Sequence, residues 1–173
     1  LTSGNSVFDL RDIKAIEDEL SDYPPIEVRE GGRLRIYRYW EKGDICTIGA
    51  DIATGRGNDF SAFSCMNQHG DELASFKGKL SIFQMADLLA KTGKEYKNAL
   101  LAPEANDIGL GTVEKLEHEG YPNLYYSKAI LKKKGEKKVQ EKNIAGWYTK
   151  GENRSIIINE LEEDLRKENI IIK

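Results

Sequence analysis

The chain has 173 residues, of which 32% are charged and 39% hydrophobic, and its net charge is −3. That length suits a single domain with a substantial core, and the composition is that of an ordinary soluble protein, not a disordered or disulfide-rich one. No apolar run approaches the roughly 18 residues needed to cross a bilayer, and no basic-then-apolar signal segment opens the chain, so no membrane contact is expected.

Residues 1–41 read as a lead-in segment and hairpin. Leu10, Ile13, Ile16 and Leu20 make a helical stripe that ends before Tyr23-Pro24-Pro25. Segments 26–30 and 33–39 flank Gly31-Gly32, the signal for a two-residue hairpin turn. Residues 42–173 then read as a compact α/β unit. Its first strand is 45–50, followed by strands at 60–67 and 73–78 around a turn at His69-Gly70-Asp71. Cys46 and Cys65 fall in these strands without Cys-x-x-Cys spacing, and read as buried thiols. Ser81 and Gln84 have capping-box spacing and open a helix with the stripe Ile82, Met85, Ala86 and Leu89, expected to stop near Gly93. A fourth strand at 98–102, a helix at 109–119 ended by Gly120, and a fifth strand at 124–127 come next. A late helix through Ile158, Leu161 and Leu165 and an apolar stretch at 170–172 complete the chain.

Two carboxylates stand where a strand stops and a glycine-containing turn begins. One is Asp51, in Asp51-Ile52-Ala53-Thr54-Gly55-Arg56-Gly57-Asn58-Asp59; the other is Glu104, in Pro103-Glu104-Ala105-Asn106-Asp107-Ile108-Gly109. A carboxylate at the end of a buried strand is costly unless it is paired, hydrogen-bonded or on a metal. Two of them on adjacent strands make an oxygen-rich site suited to Mg²⁺ or Mn²⁺. Three strands in a meander, then helix, strand, helix and strand, describe a mixed sheet of ribonuclease H-like type. There the first and fourth strands are parallel neighbours about 4.8 Å apart, which sets Asp51 opposite Glu104.

Asp59 is a candidate third ligand, directly or through water, or else a brace for the Gly55–Gly57 turn. Asn106 either orients a water or phosphate or makes an Asx turn. Gly55-x-Gly57 is not a dinucleotide fingerprint, because Phe60 stands in place of the third glycine. His69 and His118 read as surface residues, Trp147 and Tyr148 as packing residues. Between Lys128 and Lys142 seven lysines and two glutamates give a local +5, which leaves −8 for the rest. Lys132, Lys133, Lys134, Lys137, Lys138 and Lys142 are therefore candidate contacts to DNA phosphates, against the plainer reading of a solvated hairpin tip.

In order and spacing these motifs resemble the nuclease domain of the large terminase subunit, the DNA-packaging motor of tailed bacteriophages. The resemblance runs from 1–10 through both acidic motifs. It continues in Gly120-Tyr121-Pro122-Asn123-Leu124-Tyr125, Gly146-Trp147-Tyr148-Thr149 and Asn153-Arg154. It implies an endonuclease that cuts double-stranded DNA during viral genome packaging by two-metal-ion hydrolysis. Asp51 would bridge both Mg²⁺ or Mn²⁺ ions and Glu104 would hold one, with no protein nucleophile. The implied partners are double-stranded DNA, the terminase ATPase domain, the small terminase subunit and the portal protein, in the host cytoplasm on the prohead. The family's third acid, in a His-Asp-Asp-like motif past the late helix, has no counterpart before Lys173. Glu160, Glu162, Glu163 and Asp164 read instead as the solvated face of a helix. The expectation is that the C-terminal part of the domain is missing and that 1–173 alone cuts poorly. No phosphate-binding loop is present, so the motor's ATPase is not expected in this chain. Two alternatives stay open. One is another ribonuclease H-like nuclease, such as a Holliday-junction resolvase or ribonuclease H; the other is a non-catalytic DNA- or portal-binding domain.

Overall fold

The computed structural model describes residues 10–20, 23–131, 140–167 and 169–172. Helix α1 (Leu10–Leu20) precedes a hairpin of β1 (Glu27–Arg29) and β2 (Leu34–Ile36), then a meander of β3 (Cys46–Asp51), β4 (Ser61–Asn67) and β5 (Glu72–Gly78). Next come α2 (Ile82–Glu95), β6 (Leu100–Pro103), α3 (Gly109–His118), a hairpin of β7 (Tyr126–Leu131) and β8 (Gln140–Ala145), and α4 (Gly151–Arg166). None of the described helices is long and apolar enough to cross a membrane.

Six strands form one mixed sheet in the order β1-β2-β5-β4-β3-β6. Every pairing in it is antiparallel except that of β3 with β6. This is the ribonuclease H-like arrangement expected from the element order. The β1–β2 hairpin, grouped by sequence with the lead-in segment, belongs to the same sheet, because β2 pairs with β5. Its turn is wider than the two residues expected. Arg29 pairs with Leu34, so residues 30–33 form the connection, and Glu30, Gly31 and Gly32 all take positive φ.

Period-two alternation decides which face does what. On β3, Cys46, Ile48 and Ala50 are buried and Thr47, Gly49 and Asp51 exposed. The buried set meets Phe63 and Cys65 of β4 and Ala74 and Phe76 of β5, with the Phe63 and Phe76 rings stacked at 5.6 Å. Helix α2 covers this face with Met85, Ala86 and Leu89, and α3 adds Leu116. Cys46 and Cys65 are free buried thiols on the core side. Asp51 is thus turned to the open face by the same alternation that buries its neighbour.

The capping box opens α2 as expected: Gln84 N–H donates to Ser81 Oγ (3.3 Å) and Ser81 N–H donates to Gln84 Oε1 (3.0 Å). The helix does not stop at Gly93 but runs on to Glu95. A Cβ on Gly93 would lie 2.2 Å from Tyr121 Oη, so this glycine admits a neighbour rather than ending a helix.

The fifth strand also differs from expectation. Leu124 makes a single parallel bridge to Leu101, and the chain then peels away into the separate β7–β8 sheet. The rest of the β6 edge is taken by another segment. Trp147 N–H donates to Pro103 O (2.8 Å), and Ala105 N–H donates to Trp147 O (2.7 Å). At the far end of the sheet Ile171 bridges to Asp71, which gives the C-terminal apolar stretch its place.

Candidate active site

The parallel pairing of β3 and β6 runs from Thr47↔Leu100 to Ala50↔Pro103, and Glu104 N–H donates to Ala50 O (2.7 Å). Asp51 and Glu104 are therefore the next residues in register, each leaving its strand at the same end. Register sets the two side chains next to each other, near enough for the Glu104 carboxyl to bear on the titration of Asp51. Partial burial of the Asp51 carboxyl, then the Glu104 charge and the contact with Glu104, push Asp51 above the usual aspartate range. A more distant contribution of the same sign comes from Asp59. Two carboxylates held against each other by backbone pairing repel unless a proton or a cation lies between them.

Local backbone chemistry fixes both acids. Beyond Asp51, the fully buried Ser61 clamps the loop: its Oγ accepts from Ala53 N–H (2.9 Å) and donates to Ala53 O (3.3 Å). Gly55, at φ 71°, lies so close to the start of α2 that a Cβ would sit 2.3 Å from Leu80 O. On the Glu104 side, a Cβ on Gly109 would fall 1.8 Å from Glu104 O, so the six-residue motif closes only around glycine. Asn106 completes the site. Its Nδ2 donates to Glu104 Oε1 (2.9 Å) and to Thr149 O (3.2 Å). Its Oδ1 is buried without a partner among the described residues. A buried orphan acceptor is costly, and beside a carboxylate pair it is placed to accept a hydrogen bond from a water or ligand at the site.

The structure thus brings together Asp51, Glu104 and Asn106. Asp59 stands on the exposed loop before β4, and among the described residues no three acidic, histidine or cysteine groups gather tightly enough to form a metal cluster. Lys142 lies on β8, paired with Ala129, while Lys132, Lys133, Lys134, Lys137 and Lys138 lie outside the described residues. Helix α4 sends its acids elsewhere, with Glu163 paired to Lys167 and Asp164 accepting from Asn169 Nδ2 (3.1 Å). Trp147 packs on Tyr125, ring centroids 5.5 Å apart, as a packing residue should. Ser61 was not singled out from sequence. The one available signal was a small hydroxyl at the head of a strand two residues after Asp59.

The donor set of two carboxylates and an amide oxygen is all hard oxygen, which fits Mg²⁺ or Mn²⁺ and not a soft metal. No family model and no curated protein sequence matches the chain. Solved structures do. The large terminase nuclease from thermophilic phage G20c with bound magnesium is 16% identical, with 98% of this chain aligned to 74% of that one at a TM-score of 0.62. The same nuclease with bound cobalt aligns equally well, at a TM-score of 0.62. The nuclease domain of the Thermus phage P74-26 large terminase is 15% identical over 90% of this chain and 70% of its own, with a TM-score of 0.57. The chain has the fold of large terminase nuclease domains.

Proposed function

We propose that this chain is the nuclease domain of a large terminase and cuts double-stranded DNA with divalent cations during viral genome packaging. The observation that carries the proposal is the facing of Asp51 and Glu104 at the ends of parallel β3 and β6. The fold shared with terminase nucleases crystallised with magnesium and cobalt supports it.

Asp51 and Glu104 would hold Mg²⁺ or Mn²⁺, Asp51 serving two ions in a complete site and Asp59 assisting directly or through water. When bound, such ions supply an activated water and neutralise charge developing on the phosphate. The chain's own residues do the rest. Glu104 is held by Asn106 Nδ2 so that its carboxylate keeps one orientation, and Asn106 Oδ1 would accept a hydrogen bond from an incoming water or ligand. No side-chain nucleophile is required, because positioning and charge stabilisation carry phosphodiester hydrolysis. The β7–β8 stem continues the direction of β6 past Leu124, so it leaves the sheet at the carboxylate end. Lys132, Lys133, Lys134, Lys137, Lys138 and Lys142 would meet DNA phosphates without reading bases. In the packaging reading the partners are the ATPase domain, the small terminase subunit and the portal protein.

The test, made in the full-length protein so that the third acid is included, is nicking and linearisation of supercoiled plasmid in Mg²⁺ or Mn²⁺, with EDTA as control. Asp51→Asn and Glu104→Gln should each lower the rate by more than the roughly 10–100-fold typical of losing an outer-shell partner. Cutting by either variant at the wild-type rate overturns the assignment.

A further inference from the structure

We propose that the open face of the sheet is a track for the sugar–phosphate backbone of duplex DNA leaving the carboxylate site, gripped by Arg33, Arg35 and Lys77. The inference rests on the nuclease reading and adds a second DNA contact, on the opposite side of β3 from the β6 edge where the chain leaves for β7 and β8.

A trough of about 510 Å³ crosses this face, and Asp51, Arg33, Arg35 and Lys77 all line it. Its floor is made of short side chains, Gly49, Ala62, Ser64 and Ser75, so little stands between the carboxylate and the cations. Register explains the convergence of residues far apart in sequence. Asp51 pairs with Ala62, Ala62 pairs with Lys77, and Lys77 N–H donates to Arg33 O (3.0 Å). These residues form one row across β3, β4, β5 and the start of β2. Adjacent strands lie about 4.8 Å apart, so Lys77 stands roughly 10 Å from Asp51. That distance is short enough for a single sugar–phosphate backbone to touch both.

The cations are arranged rather than merely exposed. Arg33 is half-buried and held by donating to Glu30 O (2.7 Å) and Lys79 O (3.3 Å). The ammonium groups of Lys77 and Lys79 lie 5.7 and 5.2 Å from the centroid of Phe60, an exposed ring beside the site. Arg35 and Lys77 are exposed, and among the described residues neither is in an ion pair. Glu72 is the one acid at the far end of the trough, and it is buried, 4% exposed. A solvated sheet face would intersperse acids among these cations; among the described residues that line the trough the acids stand only at Asp51 and Glu72, and a polyanion can supply the partner charge between them.

The experiment is fluorescence anisotropy of a labelled duplex in EDTA over a range of KCl, comparing wild type, Arg35→Gln/Lys77→Gln, each single variant, and Arg35→Lys/Lys77→Arg. The double Gln variant should flatten the slope of log K against log salt by about 1.8, and each single variant by about 0.9. The charge-retaining pair should keep the wild-type slope, which a packing role would not produce. An unchanged slope in the Gln variants, with wild-type binding and cutting intact, overturns the track and leaves the nuclease reading standing. That result would instead mean that another part of the protein covers the trough. Failure of the full-length protein, third acidic motif included, to cut plasmid in Mn²⁺ overturns the nuclease reading itself.

Discussion

Asn106 illustrates how much depends on one side chain. Its amide ties Glu104 to Thr149 O and leaves an acceptor buried at the site. Asn106→Ala should therefore slow metal-dependent cleavage by about 10–100-fold, the usual effect of removing a group that orients a ligand. The measurement is initial rate on plasmid, with circular dichroism to check the fold. An unchanged rate would return Asn106 to a purely local turn role. Asp51 makes a second prediction, through its raised pKa. A carboxyl that titrates higher in the folded than in the unfolded state stabilises the fold at low pH, and loses that contribution as pH rises through the folded value. Without metal, wild type should therefore lose stability as pH climbs above the ordinary aspartate range. Asp51→Asn should lack that slope and melt at or above wild type in EDTA at neutral pH. Mn²⁺ should then raise the melting temperature of wild type and not of the variant. A variant that melts well below wild type in EDTA would show that the carboxylate is a structural anchor.

At the scale of elements, glycines decide the packing as often as the turns. Helix propensity alone says that Gly93→Ala, inside α2, should stabilise by about 1 kcal/mol. The contact says otherwise. The new methyl would meet Tyr121 Oη at 2.2 Å, and Tyr121 cannot swing away because it is buried and donates to Ala99 O (2.8 Å). Overpacking of this kind costs about 1–3 kcal/mol, so Gly93→Ala should be destabilising on balance by chemical denaturation, and a stabilised variant would refute the packing role. The same glycine shows where sequence reading stops. A glycine near the end of an apolar stripe reads as a helix stop, since nothing local reveals a tyrosine almost thirty residues later that needs its space. Apolar runs and capping chemistry made the meander, α2 and the two acidic turns legible. The division of the β6 edge between Leu124 and Trp147 was not, because it depends on which distant segment reaches that edge first.

Across the whole molecule, one face of the sheet builds the core and the other presents chemistry. Asp51 was visible in sequence because it interrupts an apolar run, and so was the lysine-rich segment, being local in the chain. Arg33, Arg35 and Lys77 were not, since they are spread over two elements and meet only through the β2–β5–β4–β3 register. These surfaces meet at the Asp51–Glu104 pair, the proposed divalent-cation site for phosphodiester cleavage. The most direct test is crystallographic: soak crystals in Mn²⁺ and collect data at the manganese edge. An anomalous peak in contact with both carboxylates is expected, absent from Asp51→Asn crystals treated alike. A peak elsewhere with the pair unoccupied, or one that survives the Asp51→Asn change, would contradict that assignment.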